Sequence, residues 1–235
     1  MKILALDTSA TVATVAVTDD LTPLAEYTVN NKNTHSETLL PMIESALAAL
    51  SMKISDIDLF ALSAGPGSFT GVRIGAATIK GLAFGSKKPC AEVSTLEALA
   101  NNLLFHKGLI CPVMNARRSQ VYTALFRSDG KALTRLMPDS ALAISELDEI
   151  LAKYAEPVSL VGDGYEITEA GLTATATVYV PEPQRMQSAL SVARVAYEKY
   201  KVGEYKTDAE LSVNYLRPSQ AERERAEKEK QNILQ

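Results

Sequence analysis

The sharpest local feature with a potential chemical role is a glycine-rich turn, Gly65-Pro66-Gly67-Ser68-Phe69-Thr70-Gly71. It joins a predicted strand to a predicted helix, and backbone amides at such a junction bind anions. It lacks the lysine and spacing of a P-loop and the spacing of the dinucleotide fingerprint. A tight structural turn explains the glycines at least as well as an anion site that would use Gly65, Gly67, Ser68 and Thr70.

A second candidate, Asp7-Thr8-Ser9, ends the first predicted strand. ATP-using folds of the actin and sugar-kinase kind place an acidic phosphate loop there, although Ser9 stands where that loop prefers glycine. A capped hairpin turn explains Asp7 as well as nucleotide binding does.

Residues for nucleophilic or metal chemistry are few. The two histidines, His35 and His106, are far apart, and neither has a second histidine at helical spacing, so histidines build no local metal site. No serine lies in a nucleophile elbow, and Cys111 has no nearby histidine. With only Cys90 beside it, Cys111 fits a reducing compartment and a small core residue better than a disulfide.

The predicted helix after the glycine-rich turn contains Gly71, Gly75, Gly81 and Gly85. Each glycine inside a helix costs about 1 kcal/mol relative to alanine. Ala77, Gly81 and Gly85 recur every four residues and form a smooth stripe that another helix backbone can approach closely. Packing inside its own domain and packing against another subunit explain this stripe equally well.

The composition indicates a soluble globular protein. Of 235 residues, 46% are hydrophobic and 22% charged. No apolar run approaches the length of a membrane helix, and Asp7 interrupts any secretory signal, so we expect a cytoplasmic protein without membrane contact. The formal charge of −4 argues against RNA binding by this chain alone. Arg117 and Arg118 are at a predicted hairpin tip, where exposed cations are common, so contact with RNA phosphate is the less favoured interpretation.

The first half of the chain predicts three strands in an antiparallel meander, because the intervening turns are too short for crossover helices. A capping box from Thr34 to Glu37 opens a helix, in which Pro41 predicts a kink or a late start. Strands and helices then alternate, which predicts a mixed sheet. The predicted strands cover residues 3–6, 11–17, 24–29, 58–63 and 90–93, and the helices cover 35–50, 69–86 and a segment from 95.

The same order of elements then repeats. The second set of strands covers residues 109–113, 121–127, 131–136, 158–161 and 177–180, with helices capped at Ser145 and over 188–201. We therefore expect an α/β protein of two tandem lobes, each with a five-stranded mixed sheet flanked by helices. The lobes would cover residues 1–107 and 108–218. Residues 219–235 predict a charged helix or tail, more simply solvated than bound to a partner.

Five segments taken together resemble the bacterial TsaB family. They are Ile3-Leu4-Ala5-Leu6-Asp7-Thr8-Ser9, His35-Ser36-Glu37 with Leu39-Leu40-Pro41, Gly65 to Gly75, Ala116-Arg117-Arg118 with Val121-Tyr122, and Tyr215-Leu216-Arg217-Pro218. The resemblance implies two lobes of the actin-like and RNase H-like ATPase superfamily. It also implies a role in threonylcarbamoyl-adenosine formation in tRNA, by binding the catalytic TsaD protein and, with it, the ATPase TsaE. The tRNA would be bound only through that complex.

A comparison with TsaD implies that this chain is not an enzyme. TsaD holds its metal with an Asn-His-x-x-Gly-His run, and here Thr95 and Leu99 take the histidine positions. Neither residue donates an imidazole nitrogen, so we expect no catalytic or metal site and a scaffold role. No cofactor is expected on this chain alone, with ATP and metal on the partner subunits.

The family also implies which surface binds the partner, namely the two helices of the N-terminal lobe. The predicted interface residues are His35, Glu37, Leu40, Gly71, Arg73, Ala77, Lys80 and Gly81. The smooth glycine stripe lies on this surface, which favours the interface interpretation and a homodimer through the same surface when the partner is absent. The alternatives are an enzyme, either peptidase-like or an ATP hydrolase at the interlobe cleft, and direct tRNA binding.

Overall fold

The computed structural model describes residues 1–31 and 34–217, which form two five-stranded mixed sheets flanked by helices. The predicted two-lobed α/β architecture is therefore confirmed. Pro218 and the charged helix predicted for 219–235 lie outside the described residues. Within these ranges no helix is both long and apolar enough to cross a membrane.

The first sheet has the order β3-β2-β1-β4-β5. The meander of β1, β2 and β3 is antiparallel, and β4 and β5 run parallel to β1, as predicted. Three helices follow these strands along the chain. The elements are β1 (Lys2–Asp7), β2 (Ala13–Asp19), β3 (Thr22–Val29), α1 (His35–Ala49), β4 (Leu59–Ser63), α2 (Phe69–Ser86), β5 (Cys90–Val93) and α3 (Thr95–Asn101).

The second sheet repeats this topology in the order β10-β9-β6-β7-β8. Its meander is antiparallel, and β9 and β10 are parallel to β6. The elements are β6 (Gly108–Asn115), β7 (Gln120–Ser128), β8 (Leu133–Ala143), α4 (Ile144–Ala152), β9 (Val158–Val161), α5 (Tyr165–Gly171), β10 (Thr177–Val178), α6 (Glu182–Arg185) and α7 (Ala189–Lys201).

In each lobe, one of the helices that pack on the sheet comes from the other half of the sequence. Val192 and Ala196 of α7 belong to the core on one face of the first sheet, while α1 and α2 cover the opposite face. Leu96 and Leu99 of α3 pack in a core of the second sheet. The lobe boundary near residue 107 stays a prediction, and these exchanged helices hold the two halves together across it.

Local differences from the predicted elements have simple causes. Pro41 lies on the exposed side of α1, and the helix begins at His35 without the predicted late start. The helix α5 was not predicted, because its cap residue Gly164 offers no side-chain signal and Tyr165 and Thr168 are its buried residues.

We predict that Asp148→Asn destabilises the protein by about 2 kcal/mol at pH 7. Burial would raise the pKa of Asp148, but hydrogen bonds from Thr173 and Ala174 outweigh it and lower the pKa to about 2. The oxygen Oδ2 accepts from Thr173 N at 2.7 Å and from Ala174 N at 2.9 Å. Since the folded-state pKa is depressed, this stabilisation is present above the unfolded value of 3.8 and is lost as the pH falls towards 2.

Urea unfolding of wild type and variant between pH 7 and pH 2 measures this difference. Glu149→Gln removes an exposed carboxylate next to Asp148 in the same helix, and we expect it to change the unfolding free energy by less than about 0.5 kcal/mol. An Asp148→Asn effect that did not shrink at low pH would contradict the assignment.

Candidate functional site

A cleft of about 890 Å³ lies between the lobes, where turns from both sheets meet. The first sheet contributes the β1–β2 turn, residues 8–12, and the glycine-rich turn, residues 65–71. The second sheet contributes the β6–β7 turn, residues 116–119. A C-terminal strap, residues 206–217, runs along the edge of the first sheet through backbone hydrogen bonds. Its last four residues line the cleft.

Asp7 is buried beneath this cleft, and both of its carboxyl oxygens accept hydrogen bonds from neighbouring residues. Its Oδ1 accepts from Ser9 N at 2.8 Å and from Ser9 Oγ at 2.6 Å, and its Oδ2 accepts from Ser63 Oγ. Burial raises the pKa of Asp7, although the bonds from Ser63 and Ser9 oppose the shift. The carboxyl therefore organises the β1–β2 turn from within.

The glycines of the glycine-rich turn allow the backbone to approach its neighbours closely. A Cβ on Gly67 would lie 2.4 Å from Ser9 O, and a Cβ on Gly71 would lie 2.0 Å from Thr8 O. Gly65 has a positive φ of 114°, and its Cβ would lie 2.3 Å from Asn214 O. These contacts give the turn a structural role.

The amides of the same turn are partly used inside the protein. Ser68 N donates to Ser9 O at 2.6 Å, and Gly71 N donates to Ser68 Oγ at 3.3 Å. Ser68 and Thr70 are exposed to the cleft, while Gly65 is buried and Gly67 half-buried. An anion site at this turn stays a prediction.

His35, a predicted interface residue, links α1 to the β1–β2 turn. Its Nε2 lies 2.7 Å from Ala10 O, and since a carbonyl only accepts, Nε2 carries the hydrogen. The side chain is half-buried, whereas Glu37 and Leu40 are exposed, with Leu40 51% exposed. His35 thus has a structural contact of its own beside the surface that Leu40 presents.

The outer face of α2 consists of Arg73, Ala77, Gly81, Phe84 and Gly85, all of which are exposed. A Cβ at Gly81 or Gly85 would have no atom of the described chain within 4 Å, and Phe84 is 74% exposed. Gly81 and Gly85 of the stripe therefore pack against no residue that the structure describes.

Two other predicted interface residues of α2, Lys80 and Gly71, are less exposed than the outer face. Lys80 is half-buried. Gly71 is buried against the β1–β2 turn, so it does not lie on the outer face of α2. The close approach of Thr8 to the first turn of the helix is the physical reason for its burial.

The segment that corresponds to the TsaD metal run is internal. Thr95 is buried, its amide donates to Gly65 O at 2.9 Å, and its hydroxyl has no partner within the described ranges. Leu99 belongs to the core of the second sheet. Among the described residues, no group of three or more His, Cys, Asp and Glu side chains is placed to hold a metal ion.

The cysteines and the second histidine lie away from the cleft. Burial raises the pKa of Cys90 to about 11 and that of Cys111 to about 12, so both thiols stay protonated at neutral pH. His106 is exposed in the loop between α3 and β6. In the β1–β2 turn, the Ser9 hydroxyl donates to Asp7 and His35 Nε2 contacts Ala10 O, an arrangement that lacks a serine–histidine pair.

The strap supplies cleft residues that our reasoning from single residue types did not select. The Tyr215 ring stacks on Phe69 with centroids 4.6 Å apart, and its hydroxyl accepts from Arg73 Nε at 2.7 Å. Arg217 Nη1 lies 3.4 Å from Ala116 O in the β6–β7 turn of the second sheet. The only signal in the sequence was the family motif at 215–218, which carries no chemistry by itself.

Comparison with known proteins gives consistent results for sequence and structure. A family model described as "TsaD: tRNA N6-adenosine threonylcarbamoyltransferase" matches residues 24–222. The "tRNA threonylcarbamoyladenosine biosynthesis protein TsaB" of Bacillus subtilis (strain 168) is 34% identical over 195 residues, covering 79% of this chain and 85% of the relative.

The protein of the same name from Escherichia coli (strain K12) is 36% identical over 131 residues, covering 55% of this chain and 56% of the relative. The match therefore spans little more than half of that protein. A crystal structure of an uncharacterized protein "with similarity to peptidase YEAZ from Pseudomonas aeruginosa" has a TM-score of 0.79 and 25% identity, covering 92% of this chain and 99% of that one.

We predict opposite effects of alanine at two glycines of the same helix. Gly81→Ala should raise the unfolding free energy by about 0.5–1 kcal/mol, because alanine is the better helix former and the site is open. Gly71→Ala should lower it by about 1–3 kcal/mol, because its Cβ would collide with Thr8 O. Urea denaturation of the two variants checks this, and effects of the same sign would contradict the assigned packing.

Proposed function

Because this chain belongs to the TsaB family of tRNA threonylcarbamoyladenosine biosynthesis proteins, we propose that it is a non-catalytic subunit that binds a TsaD-type transferase through α1 and α2. In this proposal it holds and activates the transferase, and a TsaE-type ATPase joins the complex. ATP and metal then belong to the partner subunits, and tRNA is bound by the assembly.

The outer face of α2 is the observation that carries this proposal. Gly81 and Gly85 each cost about 1 kcal/mol in helix propensity, and no contact within the described chain uses the space they leave. Gly71 and Gly75, in contrast, are explained by their contacts with Thr8. A helix of another protein that approaches closely along this face accounts for the two unexplained glycines.

Exposed apolar side chains on α1 and α2 add a driving force for association. Phe84 and Leu40 are 74% and 51% exposed. Burying a side chain of this kind contributes about 1.5–3 kcal/mol relative to leaving it in water. We also propose that the isolated chain forms a homodimer through this surface, since a twofold interface uses the same patch on both copies.

The state of the candidate catalytic groups supports a role without catalysis. The Asp7 oxygens are occupied by Ser9 and Ser63, and both cysteine thiols stay protonated at neutral pH. Thr95 and Leu99 replace the histidines by which the TsaD relative would hold a metal. Stoichiometric transition metal in the purified chain, or turnover of ATP or peptide without partners, would contradict this part of the proposal.

We predict that Gly81→Leu weakens binding to the TsaD-type protein of the same cell at least about tenfold, because the leucine side chain blocks close helix approach. Calorimetric titration with the purified partner measures the affinity, and mass spectrometry of tRNA nucleosides measures the modification in cells that carry only the variant. Both should fall, while the circular dichroism spectrum stays that of the wild type.

Ala170→Leu is the matched control, since it makes a small-to-large change at an exposed position of α5 on the second lobe. We expect it to bind the partner as the wild type does. Full partner binding by Gly81→Leu would place the interface elsewhere.

A further inference from the structure

Unpaired arginines surround the interlobe cleft. Within residues 1–31 and 34–217, arginine ion pairs involve Arg127, Arg135 and Arg185. Four arginines without a carboxylate partner in these ranges line or flank the cleft: Arg73, Arg117, Arg118 and Arg217. We propose that this arginine rim contacts the phosphate backbone of an RNA strand. The inference rests on the proposed function only in that RNA is what the assembly modifies. Its central residues, Arg117 and Arg118, lie on the β6–β7 turn, and Arg73 is the one rim residue that also belongs to the outer face of α2.

The β6–β7 turn holds two of these arginines in an unusual backbone conformation. Arg117, Arg118 and Ser119 have successive φ angles of 64°, 55° and 55°. Each such left-handed residue other than glycine costs about 1–2 kcal/mol. Strain of this kind persists where the surroundings enforce it, and it is found preferentially at ligand-binding sites.

Hydrogen bonds within the turn fix it in place. Asn115 Oδ1 accepts from Arg117 N at 2.8 Å, and Ala116 N donates to Gln120 O at 3.0 Å. The side chains of Arg117 and Arg118 are exposed and line the cleft. A guanidinium presents a planar set of donors that suits phosphate oxygens, so two of them side by side form a phosphate-binding edge.

Arg217 and Arg73 extend this edge beside aromatic rings. Arg217 binds Gln120 and Ala116 O across the cleft, and its guanidinium lies 6.0 Å from the Tyr122 ring centroid. Arg73 lies 3.8 Å from the Phe69 ring centroid. Arginines interleaved with aromatic rings are typical of surfaces that bind single-stranded nucleic acid through phosphates and stacked bases.

Among the described residues that line the cleft, Asp163 is the one that carries a carboxyl group. Asp163 borders the cleft, and desolvation, together with the charge of Asp7, raises the pKa of its carboxyl above the ordinary value. Its Oδ1 also accepts from Asn115 N at 3.3 Å. The described lining of the cleft therefore carries three arginines, Arg117, Arg118 and Arg217, and one carboxyl group.

The positions of the groups that remain available to a ligand favour an RNA strand at the rim over a nucleotide deep in the cleft. The Asp7 oxygens are taken by serine hydroxyls and the Ser9 amide, and Ser68 N is taken by Ser9 O, which leaves few deep groups for a triphosphate and its cation. The exposed Arg117 and Arg118 lie instead on the β6–β7 turn. A formal charge of −4 for the whole chain makes the expected affinity of the isolated protein weak and dependent on low salt.

Fluorescence anisotropy of labelled, unmodified tRNA with the full chain at low salt tests the inference. Wild type should bind, and the double variant Arg117→Ala with Arg118→Ala should bind about tenfold or more weakly. The slope of log affinity against log salt should fall by about 1.4, since each phosphate contact with a single strand contributes about 0.7. Thermal unfolding verifies that the variant is folded.

The matched control is Arg127→Ala with Arg135→Ala, which makes the same change in net charge at arginines already paired with Glu156 and Asp139. Its affinity should stay within about twofold of wild type. No binding by wild type, an equal loss in both double variants, or competition by micromolar ATP would overturn the inference, the last by showing a nucleotide site. Partner binding should survive the rim variant and tRNA binding should survive Gly81→Leu, so failure of one proposal leaves the other standing.

Discussion

The contact between α2 and the β1–β2 turn determines how the first lobe presents its surface. Thr8 Oγ1 donates to Gly71 O at 2.8 Å, and only a residue without a Cβ fits at Gly71 or Gly75. This contact fixes the rotation of the helix about its axis. Because α2 has a period of 3.6 residues, the side with Arg73 and Phe84 lies opposite this contact and faces outward, and Gly81 lies beside that side. The surface proposed for partner binding is a consequence of this buried contact.

The same β1–β2 turn links the outer surface to the cleft. Ser9 accepts from the glycine-rich turn and donates to Asp7, while Ala10 accepts from His35 at the start of α1. The exchanged helices and the strap then bring the β6–β7 turn opposite these groups. One lobe therefore carries the exposed apolar face proposed for partner binding, and the turn of the other presents cations beside the cleft.

Sequence alone predicted most of the fold, because its signals are local. Strands separated by short turns predicted both meanders, and the segment after the glycine-rich turn was predicted as a helix at 69–86, the bounds observed. The pairing of α7 with the first sheet could not be predicted, since an apolar helical face does not specify which sheet it covers. For the same reason the sequence did not distinguish the packing of the α2 glycines, although Gly71 is buried and a Cβ at Gly81 would meet no described atom. The left-handed turn at Arg117 contains no glycine that would have indicated it.

Hydrogen–deuterium exchange of the chain, alone and mixed with the purified TsaD-type protein, tests the central claim most directly. The account predicts slower amide exchange in α1 and in residues 78–86 of α2 on complex formation, with α4 and α5 of the second lobe unchanged. Protection confined to the second lobe, with the exchange of α2 unaltered in a complex that demonstrably forms, would contradict it.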